Sequence, residues 1–299
     1  MVLATYFLLS FVGAFFMGLT AVLLKYADID NVYYGLILRS LSSGVLLLLI
    51  MLILRGSMIF SPLADPLVFL LLVLTAIFQI VADALIMSIL KRKPVGMIAP
   101  LMAIFPLFTS IGLILVGIIH FAPLILLYTL LIVIGVGFVT FSRSQKDPDL
   151  SMFDREGLLY GVLIAFFLGL TNLTDIIILH HTVIDGLQYT ALKFSMLAVL
   201  STLGFVLSGQ HWSDWQRFWS NRSSTRYLVA AGLCAWLLGA ASVYTAYTAI
   251  NPGVVNAIIG INPVFAVLIS LFLRIEELSV RKSLGLIFCV VASVGIILA

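Results

Sequence analysis

Long apolar runs alternate with short polar breaks along the whole chain. A hydrocarbon core about 30 Å thick needs roughly 20 consecutive apolar residues per helix. Ten such segments are read, at 2–24, 32–54, 66–90, 95–118, 122–141, 157–180, 186–208, 227–250, 253–273 and 281–299. The breaks include Asp28-Ile29-Asp30-Asn31, Lys91-Arg92-Lys93-Pro94, Asn251-Pro252-Gly253 and Arg274-Ile275-Glu276-Glu277. The apolar runs are continuous and lack the period-two alternation of a membrane barrel. The pattern predicts an all-α integral membrane protein with ten transmembrane helices.

Composition agrees with that class. Of the 299 residues 63% are hydrophobic and 10% charged, and mean hydropathy is +1.23. A soluble domain carries about a quarter charged residues, so lipid must cover most of this surface. The net charge of +3 is not gathered into a long basic run, which argues against nucleic acid as a partner. Cys234 and Cys289 sit in apolar stretches as small packing residues. The first apolar run starts at Val2 without a basic leader or an A-x-A site, so it is expected to remain as a span. The longest polar stretches, 142–156 and 209–226, leave no room for a soluble domain. The second holds Trp212, Trp215 and Trp219, expected at headgroup level.

An internal repeat carries more information than the span count. Phe15-Phe16-Met17-Gly18-Leu19-Thr20 recurs as Phe166-Phe167-Leu168-Gly169-Leu170-Thr171. Arg39 matches Lys193, Phe105-Pro106 matches Asn262-Pro263, and the stretch at Gly137 matches the one at Gly295. The offset drifts only from 151 to 158 residues. Two five-helix repeats are therefore expected, 1–141 and 157–299, joined by a linker at 142–156. An odd helix count turns the second copy over in the membrane. Inverted repeats are a transporter architecture with a binding site where the halves meet.

At these residues the chain resembles the drug/metabolite transporter superfamily in its ten-helix EamA-like branch. The resemblance rests on the glycine-bearing first helix of each half, on Arg39-Ser40, and on Ala99-Pro100 through Phe105-Pro106. Gly260-Ile261-Asn262-Pro263, the turn Glu276-Glu277 and the glycines Gly285 and Gly295 add to it. It implies a carrier of small metabolites such as amino acids, drugs or sugar conjugates, commonly an exporter, in some members driven by protons. One departure is visible: after the fourth segment, where the family often has a Glu, this chain reads Gly117-Ile118-Ile119-His120.

Ionisable residues at membrane depth need a partner or a task. Arg39, Asp83, Asp175 and Lys193 are four. Counted from the segment ends, Arg39 and Asp83 each lie roughly 10 Å in from one face, and Asp175 and Lys193 the same distance from the other. Two ion pairs are expected, Arg39–Asp83 and Lys193–Asp175, approximately related by the repeat. They serve either as gates and substrate contacts or as locks between helices. On the first reading Asp83→Asn and Asp175→Asn abolish transport at unchanged folded yield. Gln79, Asn172, Thr174, Gln188, Trp236, Tyr244, Tyr247, Asn256 and Asn262 are the polar neighbours expected to line the same cavity. Pro100, Pro106 and Pro263 free backbone carbonyls, which is tolerated beside a cavity.

Thirteen Lys and Arg fall in the loops after odd-numbered segments and only Arg55 in the others. The positive-inside rule then puts the odd loops in the cytoplasm and both termini outside, against the resembling family's more common termini-inside topology. The expected function is secondary active transport of a small polar metabolite by alternating access. No cofactor or nucleic acid is expected, proton coupling is admitted, and the expected state is a monomer or homodimer in a prokaryotic cytoplasmic membrane. A metal-dependent membrane enzyme using His120, His180, His181 and Asp185 is the rival, without a recognised ligand spacing. A channel is the other rival, without a selectivity signature.

Overall fold

The computed structural model describes residues 2–27, 31–90, 104–120, 123–140, 155–209, 222–273 and 280–298. Within them the chain is helical and forms no strand. The Trp212, Trp215 and Trp219 belt, the basic turn at 91–94, Pro100 and Glu276-Glu277 lie outside the described residues.

Helix α1 (Val2–Tyr26) leads to α2 (Val32–Ser40), which Asn31 caps by accepting from the Tyr33 N–H. A π-helical stretch, Leu41–Val45, joins α2 to α3 (Leu46–Arg55), and a 3-10 stretch, Gly56–Ala64, follows. Then come α4 (Pro66–Leu90), α5 (Phe105–Leu115), α6 (Pro123–Thr140), α7 (Arg155–His181) and α8 (Gly186–Leu207). Helix α9 (Arg222–Gly232) runs through a second π-helical stretch, Leu233–Ala240, into α10 (Ala241–Tyr247). Helices α11 (Pro252–Ile259), α12 (Asn262–Phe272) and α13 (Val280–Leu298) complete the chain.

Seven of these units are long and apolar enough to cross a membrane: α1, the rod from Val32 to Ala64, α4, α7, α8, α9–α10 and α11–α12. Shorter apolar helices lie within α5, α6 and α13. The outside is apolar, with Ile53, Leu115 and Phe272 all more than 80% exposed. Exposed apolar surface on that scale is stable only against lipid. Hydroxyls on these helices bond back one turn, as Thr20 does to the Phe16 carbonyl and Thr171 to the Phe167 carbonyl. Such bonds satisfy donors that have no water to meet.

Two predicted segments differ from what is observed. The ninth is split at Gly260-Ile261, because Pro263 has no N–H to continue the ladder and its ring needs the space of a preceding carbonyl. The second does not end in a loop after residue 54. Gly56, at φ 60° and ψ −148°, turns the chain into the 3-10 stretch, whose Ile59 is fully buried. That backbone region is open almost only to glycine. Gly56→Ala meets no neighbouring atom, so its cost is backbone strain alone, about 1–3 kcal/mol. Thermal unfolding of the purified protein measures it.

Candidate functional site

The buried interior holds a continuous polar seam. Thr75, Gln79 and Asp83 recur every fourth residue of α4 and share one face. Tyr189 and Lys193 do the same on α8. Trp236 comes from the second π-helical stretch, Tyr244 and Tyr247 from α10, Arg39 from α2 and Asp175 from α7. All are buried except Gln79, which is half-buried.

At one end Asp175 is saturated. Its Oδ1 accepts from the Thr75 hydroxyl at 2.5 Å and the Tyr189 hydroxyl at 2.5 Å. Its Oδ2 accepts from Lys193 Nζ at 2.6 Å and the Tyr244 hydroxyl at 2.7 Å. Lys193 Nζ also donates to the Tyr244 hydroxyl at 2.7 Å. Neither member of the pair has any exposed side-chain surface. A dry carboxylate with four donors, one of them a cation, is held as tightly as this chemistry allows.

At the other end the pairing is loose. Arg39 Nη1 stands 3.5 Å from Asp83 Oδ1, and Asp83 Oδ2 accepts from Gln79 Nε2 at 3.1 Å. Arg39 Nε and Nη1 make no hydrogen bond, although the side chain is only 4% exposed. The guanidinium lies 4.4 Å from the centre of the Trp236 ring, which stacks on Phe194 at 4.9 Å and 11°. The two π-helical stretches lie beside this place: Gly232, the residue before the second, packs on the Arg39 carbonyl, and Gly44, within the first, packs on the Phe194 backbone. Helical bulges of this kind are frequent at functional sites.

The seam continues from Tyr244 through its stack with Tyr247 to Asn256, whose Oδ1 accepts from the Tyr247 hydroxyl at 2.6 Å. Asn256 is fully buried and its Nδ2 has no bond. At the start of α8, Asp185 caps the helix by accepting from the Leu187 and Gln188 N–H groups. Asp185 also pairs with Arg55, and Gln188 Nε2 donates to the Ile59 carbonyl at 3.0 Å. These contacts tie the 3-10 stretch to the start of α8.

Both ion pairs expected from depth counting are present. Within the expected repeat, Arg39 and Lys193 fall on corresponding segments, but Asp83 falls on the third and Asp175 on the sixth, whose counterparts would be the eighth and the first. Gln188 belongs to the Arg55–Asp185 cluster and not to a cavity around Lys193. Asn172 and Asn262 are half-buried and make no side-chain bond to the seam among the described residues. Thr174 turns inward on itself, donating to the Leu170 carbonyl. Thr75 and Tyr189, absent from the sequence-based selection, complete the shell of Asp175; the four-residue spacings Thr75–Gln79–Asp83 and Tyr189–Lys193 are the signal that marks them.

Among the described residues the histidines form no comparable centre. His180 and His181 meet edge to face at 5.6 Å and are exposed, as is His120. Among the described residues no group of three or more His, Cys, Asp and Glu is placed to hold a metal.

The chain is similar over nearly its full length to a protein of known crystal structure. The match covers 98% of this chain and 96% of the other, with a TM-score of 0.74 and 12% sequence identity. At that identity the likeness shows a shared helical fold and nothing about activity. No family model and no curated protein matches the sequence.

Proposed function

We propose that this protein is a secondary active carrier of a small polar metabolite, of the ten-helix EamA-like type, working by alternating access. The observation that supports the reading most is the buried seam. A bundle that is apolar outside keeps two cations and two carboxylates in its interior, supplied by both halves of the chain. Intramembrane charge on that scale marks a substrate or ion pathway by default.

The contacts support the inverted repeat. Gly18 packs on the Asn262 carbonyl and the Phe265 side chain, and Gly169 packs on the Phe105 carbonyl and the Phe108 side chain. The two sets correspond at offsets of 151 and 157 residues. Pro106 and Pro263 each stand at the first turn of a helix, and Pro106 reaches Gly260 at the break in the ninth segment. Helices α6 and α13 cross with Gly135 on Cys289 and Gly295 on Tyr128. With the three shorter apolar helices counted, ten spans in two units, 1–141 and 157–299, accommodate these correspondences. The short loops suit a multi-pass protein of a prokaryotic cytoplasmic membrane, and the Lys and Arg count favours odd-numbered loops in the cytoplasm. Export is the direction favoured by the resemblance.

Purified protein in liposomes tests the proposal by counterflow. Internal metabolite is expected to accelerate uptake of the same labelled metabolite, which a channel does not do. Asp83→Asn is expected to lower exchange by about tenfold or more, a loss of at least ~1.4 kcal/mol in productive binding, while the folded yield holds. Uptake that ignores the opposite compartment across a broad metabolite panel removes the carrier reading.

A further inference from the structure

Among the described residues there are three ion pairs, and they join different parts of the chain. Arg39–Asp83 lies within the first half and Lys193–Asp175 within the second. Arg55–Asp185 alone runs from one half to the other. It is also the exposed pair, with side chains 45% and 39% exposed against 5% or less in the other two. Arg55 directly follows the apolar run 32–54 and Asp185 directly precedes the run 186–208, at ends where water screens them. A pair so exposed contributes at most about fivefold to an equilibrium and weakens with salt. It can part and re-form, whereas parting the dry Lys193–Asp175 pair is costly.

The surrounding contacts are arranged in the same way. Past Arg55 the backbone turns at Gly56, φ 60°, into the 3-10 stretch, which packs on its sequence neighbours α3 and α4. Among the described residues its hydrogen bonds to α8 come from Gln188, whose Nε2 donates to the Ile59 carbonyl at 3.0 Å and the Met58 carbonyl at 3.5 Å. Gln188 Oε1 accepts from Arg55 Nη1 at 3.4 Å. Ile59 itself is fully buried. The same turn of α8 reaches the seam, since Gly186 packs on the Tyr244 and Thr245 backbone and Tyr189 donates to Asp175.

Resting on the carrier reading, we propose that Arg55, Asp185 and Gln188 form a latch between the two halves, closed in this structure and opened once in each transport cycle. Alternating access moves the halves against each other, so a tie between them has to release, and the exposed tie releases most easily. Gly56 is the hinge. Hinges are a few element-terminal residues that absorb a change of backbone angle, and no atom stands within 4 Å of where a Cβ on Gly56 would be. Opening swings the 3-10 stretch away from α8 and uncovers Ile59. The first turn of α8, no longer held to the rod, is then free to move with Tyr189.

Two measurements on the purified full chain, in a cysteine-free C234A/C289A background, test the latch. The first follows reaction of an Ile59→Cys thiol with N-ethylmaleimide in liposomes. Asp185→Asn keeps a capping oxygen on α8 and removes the charge; it and Arg55→Gln are each expected to speed labelling about two- to fivefold. High salt is expected to speed labelling of the paired protein and leave the Asp185→Asn protein unchanged, which a purely structural contact does not do. The second measurement joins the thiols of R55C/D185C with a short bis-methanethiosulfonate reagent and follows counterflow across the metabolite panel. Linking is expected to lower exchange at least tenfold, and dithiothreitol to restore it. Should Ile59→Cys fold poorly, the linked protein decides alone. Labelling that ignores both charge removals, or a linked protein that exchanges at the unlinked rate, overturns the latch and leaves the carrier standing. No counterflow in the unlinked protein removes the carrier reading instead, while labelling still reports whether the contact opens.

Discussion

Lys193→Met is expected to lower the stability of the folded bundle by about 3–5 kcal/mol, the range for breaking a buried ion pair from one side. The residue and its partner Asp175 are fully buried. Removing the ammonium leaves Asp175 charged and dry, with three hydroxyl donors in place of a cation: those of Thr75, Tyr189 and Tyr244. Asp175→Asn is expected to cost a similar amount, because it strands the ammonium. The double variant D175N/K193M removes both charges while an amide oxygen still accepts from Thr75 and Tyr189. Its loss is expected to fall short of the sum of the single losses by about 1–3 kcal/mol, the coupling typical of residues in direct contact. Thermal unfolding of the four proteins in one detergent gives the cycle. Additive losses mean that the carboxylate and the ammonium do not depend on each other.

This expectation changes the role read from sequence for Asp175. Depth counting treats Asp83 and Asp175 alike, and their substitution by Asn then affects transport alone. The four bonds on Asp175 make it a lock between α4, α7, α8 and α10, whereas Asp83 has one neutral bond and a long ion pair. What differs is saturation, and saturation depends on which hydroxyls from other helices arrive at the same point. Thr75 is 100 residues from Asp175 and Tyr244 is 69 away. A single sequence has no register for such distances. Periodicity along one helix is legible, so the faces of α4 and α8 were within reach and their partners were not.

The span boundaries show the same division. Helix α8 runs Gly186–Leu207, within a residue of the predicted 186–208, because Asp185 at its start is a local capping signal. The π-helical stretches are invisible locally. Leu41–Val45 and Leu233–Ala240 read as ordinary apolar helix, and their bulges follow from what each must pack against. The 3-10 stretch after Arg55 was hidden for another reason: Met58, Ile59 and Phe60 are apolar enough to suit a membrane, and the Gln188 side chain that bonds the backbone there lies far along the chain.

Gly44→Ala is expected to destabilise the protein by about 1–3 kcal/mol, the usual range for overpacking, and to lower exchange at least tenfold with it. A Cβ at this position falls 2.5 Å from the Phe194 carbonyl carbon, 2.6 Å from its oxygen and 2.7 Å from the Ser195 nitrogen. These are backbone atoms and cannot rotate aside, so the rod carrying Arg39 has to move off α8. The bond from the Ser195 hydroxyl to the Gly44 carbonyl, 3.2 Å long, is lost with that movement. So is the register between Arg39 and the Trp236–Phe194 stack, which spans the same crossing. Small residues at such crossings are what let membrane helices approach closely enough to pack. Gly204→Ala, on the same face-to-face helix α8, is the control. Its nearest neighbours are atoms of the Tyr33 ring at 3.3 Å and beyond, a side chain free to shift, and alanine favours the helix by roughly 0.8–1 kcal/mol over glycine. Gly204→Ala is therefore expected to leave stability and exchange close to those of the unaltered protein. Equal mildness of the two substitutions in thermal unfolding rules out the close crossing at Gly44, and with it the support that holds Arg39 against the aromatic stack.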